Sequence, residues 1–125
     1  MNAVGLVLSD DLVFVSRISA TAQAQGLSVR QARTPSELVM LARQNTPGGF
    51  ILDLQNHGLE LPALLAELRA IRVPMPRVMG YGSHVEKELL QAAREAGCDP
   101  VLPRSQFVRV LDRHLKEWLG ESRPA

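Results

Sequence analysis

At 125 residues with a net charge of +1, 46% hydrophobic and 22% charged, the chain has the makeup of one globular domain. The near balance of acids and bases excludes a broad electrostatic footprint for nucleic acid or an anionic membrane. A single cysteine, Cys98, excludes an internal disulfide and a multi-cysteine zinc site. No apolar stretch reaches spanning length, and Met1-Asn2-Ala3 lacks the charged-then-apolar pattern of a secretory signal, so a soluble, cytoplasmic protein is expected.

The first apolar run, Ala3-Val4-Gly5-Leu6-Val7-Leu8, reads as a strand and ends in the acidic cluster Ser9-Asp10-Asp11. Asp10 or Asp11 can cap the next helix, whose apolar positions Phe14, Val15, Ile18 and Ala22 recur at helical spacing until Gly26. Leu27 to Ala32 predicts a second strand. Thr34-Pro35-Ser36-Glu37 is a capping box with proline at the first helical position, and Leu38, Leu41 and Ala42 form the buried stripe behind it. Pro47-Gly48-Gly49 turns the chain into Gly49-Phe50-Ile51-Leu52-Asp53-Leu54, which reads as a strand buried on both faces with a carboxylate at its far end.

A third helix spans Leu61 to Ile71, with Leu64, Leu65, Leu68 and Ile71 on one face. Val73-Pro74-Met75-Pro76 is a stiff connector to a fourth strand, Arg77 to Tyr81. Ser83-His84-Val85-Glu86 reads as a second capping box, opening a helix with Val85, Leu89, Ala92, Ala93 and Ala96 inward and Gly97 as its stop. Asp99 to Pro103 predicts a fifth strand, placed at a sheet edge by its two prolines. The last helix starts near Ser105 and buries Val108, Leu111, Leu115 and Trp118; residues 121–125 read as a short flexible tail to a single domain spanning 1–120.

Five strand-then-helix repeats predict parallel strands joined by right-handed crossovers, a doubly wound α/β domain with helices on both faces. Its two carboxylate-tipped strands suggest a site for a hard cation or a phosphoryl group. The alternatives for Asp10 and Asp11 (a helix cap) and for Asp53 (a strand-end turn) stand beside that reading. His57, His84 and His114 read as surface residues, and Cys98 as a small buried hydrophobe. Gly80-Tyr81-Gly82 lacks the spacing of a phosphate-cradling loop.

This layout, with an acidic cluster after strand one and an aspartate ending strand three, resembles the receiver domain of two-component response regulators from about Val4 to Trp118. Ala92-Ala93-Arg94-Glu95-Ala96-Gly97-Cys98-Asp99 is similar to the family's approach to strand five. The resemblance implies a flavodoxin-like, CheY-like (βα)5 fold with strand order 2-1-3-4-5. It implies Asp53 as phosphoacceptor, magnesium held by Asp10, Asp11 and Asp53 (or by Ser9 and Asp10 with Asp53), and a histidine kinase or downstream signalling protein as partner. It also implies docking through the fourth helix, fifth strand and last helix, where Arg94, Arg104, Arg109 and Arg113 suit an acidic partner or a homodimer. Three positions depart from the family. Tyr81 stands where a threonine or serine is expected, and Arg104, followed by Ser105, stands where a lysine precedes a proline. Val101 takes the place of the strand-five aromatic. Such departures point to a divergent or pseudo-receiver, a signalling protein and not an enzyme beyond chemistry at Asp53 itself. A flavin or cobalamin binder of similar fold is the third reading.

Overall fold

The computed structural model describes residues 4–119; Ala3 and the expected tail at 121–125 lie outside the described residues. Elements alternate along the chain as β1 (Val4–Leu8), α1 (Leu12–Ala24), β2 (Ser28–Ala32), α2 (Pro35–Gln44), β3 (Pro47–Asp53) and α3 (Leu61–Ile71). They continue as β4 (Arg77–Gly82), α4 (Lys87–Glu95), β5 (Val101–Pro103) and α5 (Arg104–Trp118). All strand pairs are parallel and the sheet order is β2-β1-β3-β4-β5, the doubly wound arrangement expected. β5 lies at an edge, in keeping with its prolines.

The side-chain period of two divides each strand between two cores. Leu6, Leu8, Phe50, Leu52, Leu54 and Val78 face α2, α3 and α4 through Leu38, Val39, Leu64, Leu65, Leu68 and Leu90. Val7, Ile51, Met79 and Tyr81 face α1 and α5 through Phe14, Ile18, Phe107, Leu111, Leu115 and Trp118. The central strands are therefore apolar on both faces, which is why they read as continuous hydrophobic runs. The end of α5 lies so close to β3 that a Cβ on Gly49 would collide with the Trp118 carbonyl.

Local sequence sets most boundaries. Asp11 caps α1, its Oδ1 accepting from the Phe14 amide at 3.1 Å. Thr34 caps α2 by accepting from the Glu37 amide, and the Glu37 carboxylate accepts in return from the Arg33 amide at 2.6 Å, one residue before the cap. Gly26 and Gly97 have φ of +77° and +109°, the left-handed conformation that ends α1 and α4 without a Cβ penalty.

The segment before α4 departs from expectation. Ser83 Oγ accepts from the Val85 amide, two residues on, so Ser83-His84-Val85-Glu86 forms a turn and α4 begins at Lys87 with no side-chain cap. The inward face consequently moves. Leu90 and Ala93 are buried and Leu89 and Ala96 half-buried, whereas Val85 is 66% exposed and Ala92 is exposed. In α5, which starts at Arg104, the buried stripe is Phe107, Leu111, Leu115 and Trp118, with Val108 only half-buried. β5 is shorter than predicted, since Asp99 and Pro100 precede it.

Candidate functional site

In this strand order the connections from β1 and β3 leave to opposite faces, which opens a crevice beyond their carboxyl ends. Continuing each strand's alternation past its last apolar residue brings three polar residues to that crevice on the α1/α5 face. Ser9 follows Val7, Asp53 follows Ile51, and Tyr81 follows Met79; Asp53 and Tyr81 are Cα partners in the β3–β4 ladder. Ser9 and Tyr81 are fully buried and Asp53 is 5% exposed, making this the main buried polar group of the described residues besides Asn56.

Asp53 is positioned by its own turn. Its Oδ1 accepts from the Gln55 amide at 3.0 Å, and its carbonyl accepts from the Asn56 amide. Burial pushes the carboxyl above its usual range; the Gln55 amide and then Arg104 oppose that, while Asp10 and Asp11 add repulsion. Asp10 is exposed. Asp11 is half-buried with both oxygens engaged, Oδ1 on the Phe14 amide and Oδ2 on Arg104 Nη1 at 3.3 Å.

Arg104, at the start of α5, reaches across the pocket mouth to Asp11. Its guanidinium carbon lies 5.4 Å from the Phe14 ring centroid and 5.6 Å from that of Tyr81, within cation–π range of both. Tyr81 is clamped in turn, with ring centroids 4.3 Å from Phe14 and 5.2 Å from Phe107. The Tyr81 hydroxyl has no hydrogen-bond partner. The Ser9 side chain partly offsets the effect of burial, but the two hydroxyls do not meet hydrogen-bond geometry. Burial drives the phenol's pKa far above its usual value, so it stays protonated.

As cation donors, Asp10, Asp11 and Asp53 do not fit a divalent ion in this arrangement. Among the described residues no three His, Cys, Asp or Glu side chains form a ligand group. Each Asp11 oxygen already accepts one contact from the protein, and a guanidinium holds the mouth. A hard cation needs several converging oxygens.

Two residues of the pocket carried no signal in the sequence. Gln55 Oε1 accepts from the Ser83 amide at 2.7 Å and ties the loop after β3 to the loop after β4. Phe14 supplies an aromatic seat for Arg104 as well as core packing. Neither loop-to-loop distance nor ring orientation is written in a local pattern. Beside the pocket an open groove of about 710 Å³ runs between α1 and the start of α5, lined by Phe14, Arg17, Gln55, His84, Arg104 and Val108 among others.

The remaining candidates separate from the site. His57 and His84 are exposed, and His114 pairs with Glu117 at 3.5 Å and stacks on Trp118, away from the pocket. Cys98 is buried, its thiol pushed up to about 11 by desolvation, so it is inert as a nucleophile. On the face formed by α4, β5 and α5, Arg94 donates to the Val101 carbonyl and Arg104 is held at the pocket; Arg109 and Arg113 are exposed and make no ion pair among the described residues. No described helix is long and apolar enough to cross a membrane.

No family model matches the sequence, and no curated protein matches it. Solved structures do. A protein assigned as a response regulator from Chloroflexus aurantiacus superposes with a TM-score of 0.79 at 19% identity, covering 94% of this chain and 97% of that one. A response regulator from Burkholderia pseudomallei, solved with a phosphorylated aspartic acid, calcium ion and citrate, gives 0.72 at 22% identity over 93% of this chain and 70% of its own. The receiver domain of a Saccharomyces cerevisiae response regulator, solved with its histidine phosphotransfer protein, gives 0.77 at 14% identity over 94% and 88%. Sheet order and helix placement thus converge on one architecture: this chain has the receiver-domain fold of response regulators.

Proposed function

We propose that the chain is a receiver-type signalling domain that acts by docking to a protein partner, with its pocket held in one state and not toggled. One observation carries this reading. Tyr81 is fully buried between Phe14 and Phe107, and Arg104 rests on its ring while pairing with Asp11. A switch needs parts that are free to change partners. Here the tyrosine ring has no room to turn, and the cation is engaged on three sides. Val101, at the position where the family carries an aromatic, has no large ring to reorient.

The partner is a histidine kinase, a phosphotransfer protein or a downstream signalling protein inside the cell. The yeast neighbour, solved with a phosphotransfer protein, supports that class. The docking face is that of α4, β5 and α5, where Arg109 and Arg113 lie four residues apart on one side of α5 and favour an acidic partner or a second copy. Double charge reversal, Arg109→Glu with Arg113→Glu, is expected to weaken capture of the partner or self-association by at least about tenfold. Light scattering and pull-down measure it, and unchanged association discards the face.

A second reading rests on Asp53 itself, a buried carboxylate at the crevice of this fold. In it, the free Asp53 oxygen attacks the phosphorus of a phosphodonor and the donor's leaving group departs with the bonding pair. The product is an acyl phosphate that water later hydrolyses. The phosphoaspartate in the Burkholderia pseudomallei neighbour supports the class of chemistry. Magnesium and acetyl phosphate test it by mass spectrometry. Gain of one phosphoryl group in the wild type, lost in Asp53→Asn, establishes this reading; no gain leaves the held pocket.

A further inference from the structure

Three carboxylates gathered at one rim repel each other, and Asp53 adds the cost of burial. Something must offset that charge. The oxygens with no partner in the protein are one of Asp53 and those of exposed Asp10, because the amides of Phe14 and Gln55 and the Arg104 guanidinium contact the others.

Arg104 is also held better than a surface ion pair. The Arg104 and Asp11 side chains are 43% and 35% exposed, and such a pair alone contributes little. The planar guanidinium, however, lies over two rings, Phe14 and Tyr81, whose own positions are fixed by the aromatic core. A guanidinium suits that seat because its planar face stacks while its edge pairs, which a compact ammonium does not do. Core and cation thus form one assembly.

We propose that Arg104 is the resident cation of this pocket, neutralising Asp11 and Asp53 in place of a divalent metal and keeping such a metal out. The aromatic seat makes the arrangement permanent: the charge that a metal-dependent pocket would borrow from solution is supplied by the chain. The inference concerns the pocket of the proposed signalling domain, but its test reads metal binding and not docking, so either can fail without the other.

The full chain is titrated with magnesium, following backbone amide shifts at Asp11, Asp53 and Gln55. The wild type is expected to show no saturable response at millimolar magnesium. Arg104→Met, which keeps the length of the stem but removes the charge, is expected to gain site-specific binding, tighter by about tenfold or more. That gain should vanish when Asp53→Asn is added. Saturable shifts at Asp11 and Asp53 in the wild type overturn the proposal, as does a folded Arg104→Met that binds no better than wild type. If the variant does not fold, the wild-type titration decides alone: silence supports the resident cation, and saturation removes it.

Discussion

The two faces of the sheet are packed with different materials. The face toward α2, α3 and α4 is almost wholly aliphatic, with Phe50 its one aromatic among the buried residues. The face toward α1 and α5 holds Phe14, Tyr81, Phe107 and Trp118 in a chain of ring contacts, with centroid separations between 4.3 and 6.0 Å. Only this second face continues into the polar crevice. Its last core residue, Tyr81, is also the floor under Arg104. One core is purely structural, whereas the other also positions the residues of the candidate pocket.

Removing one ring from each face separates the two cores most directly. Phe50→Ala and Phe107→Ala each remove a fully buried ring, and each should cost about 3–5 kcal/mol in urea unfolding followed by Trp118 fluorescence. Equal losses with unequal effects on the pocket are expected. Phe107→Ala should loosen Tyr81 and shift the Asp53 and Arg104 resonances, while Phe50→Ala leaves them in place. Pocket shifts of the same size in both would mean that the two cores are not separable.

Asp53→Asn probes the polar end of the second face with a smaller effect. Burial holds the native carboxyl above its ordinary value of 3.8, so the native state binds this proton more tightly than the unfolded chain. Stability therefore falls as pH rises from about 3.8 through the native value, and the cost is fully present above it. Asn removes the charge and keeps an oxygen for the Gln55 amide. The variant should melt higher than wild type at neutral pH, with the difference closing as pH falls toward 3.8. A lower melting temperature at neutral pH would mean that Arg104 and the Gln55 amide outweigh the burial.

How far the sequence carried this reading depended on whether each signal was local. The bounds of α3 were legible at both ends, because the stripe Leu64, Leu65, Leu68 and Ile71 recurs at helical spacing across its length. A cap at Asp10 or Asp11, with Asp11 the one that forms it, and the α2 capping box were legible for the same reason, whereas the sheet order followed from the family resemblance. The turn at Ser83 was not. Its residues spell a capping box, but Gln55, nearly thirty positions earlier, takes the Ser83 amide and the chain stays turned until Lys87. Arg104 was visible as a departure from a lysine. That it would sit on Asp11 and two rings depends on helix α5 meeting α1, which no local pattern encodes.

Tyr81→Phe is the mildest probe and bears on both faces of the comparison, since it changes the pocket without emptying the core. The ring stays, so the contacts to Phe14, Phe107 and Arg104 stay with it. Only the hydroxyl leaves, and that hydroxyl is buried without a hydrogen-bond partner, a condition that costs about 1–3 kcal/mol. Removing it relieves that cost but leaves a small void, so a net gain of up to about 1 kcal/mol is expected, read as a rise in melting temperature of a few degrees. A loss of similar size would mean that Ser9 and Tyr81 share a hydrogen bond in solution. The pocket floor would then be held by polar contact as well as by ring packing, and the contrast between the two faces would extend from their materials to the forces that fix them.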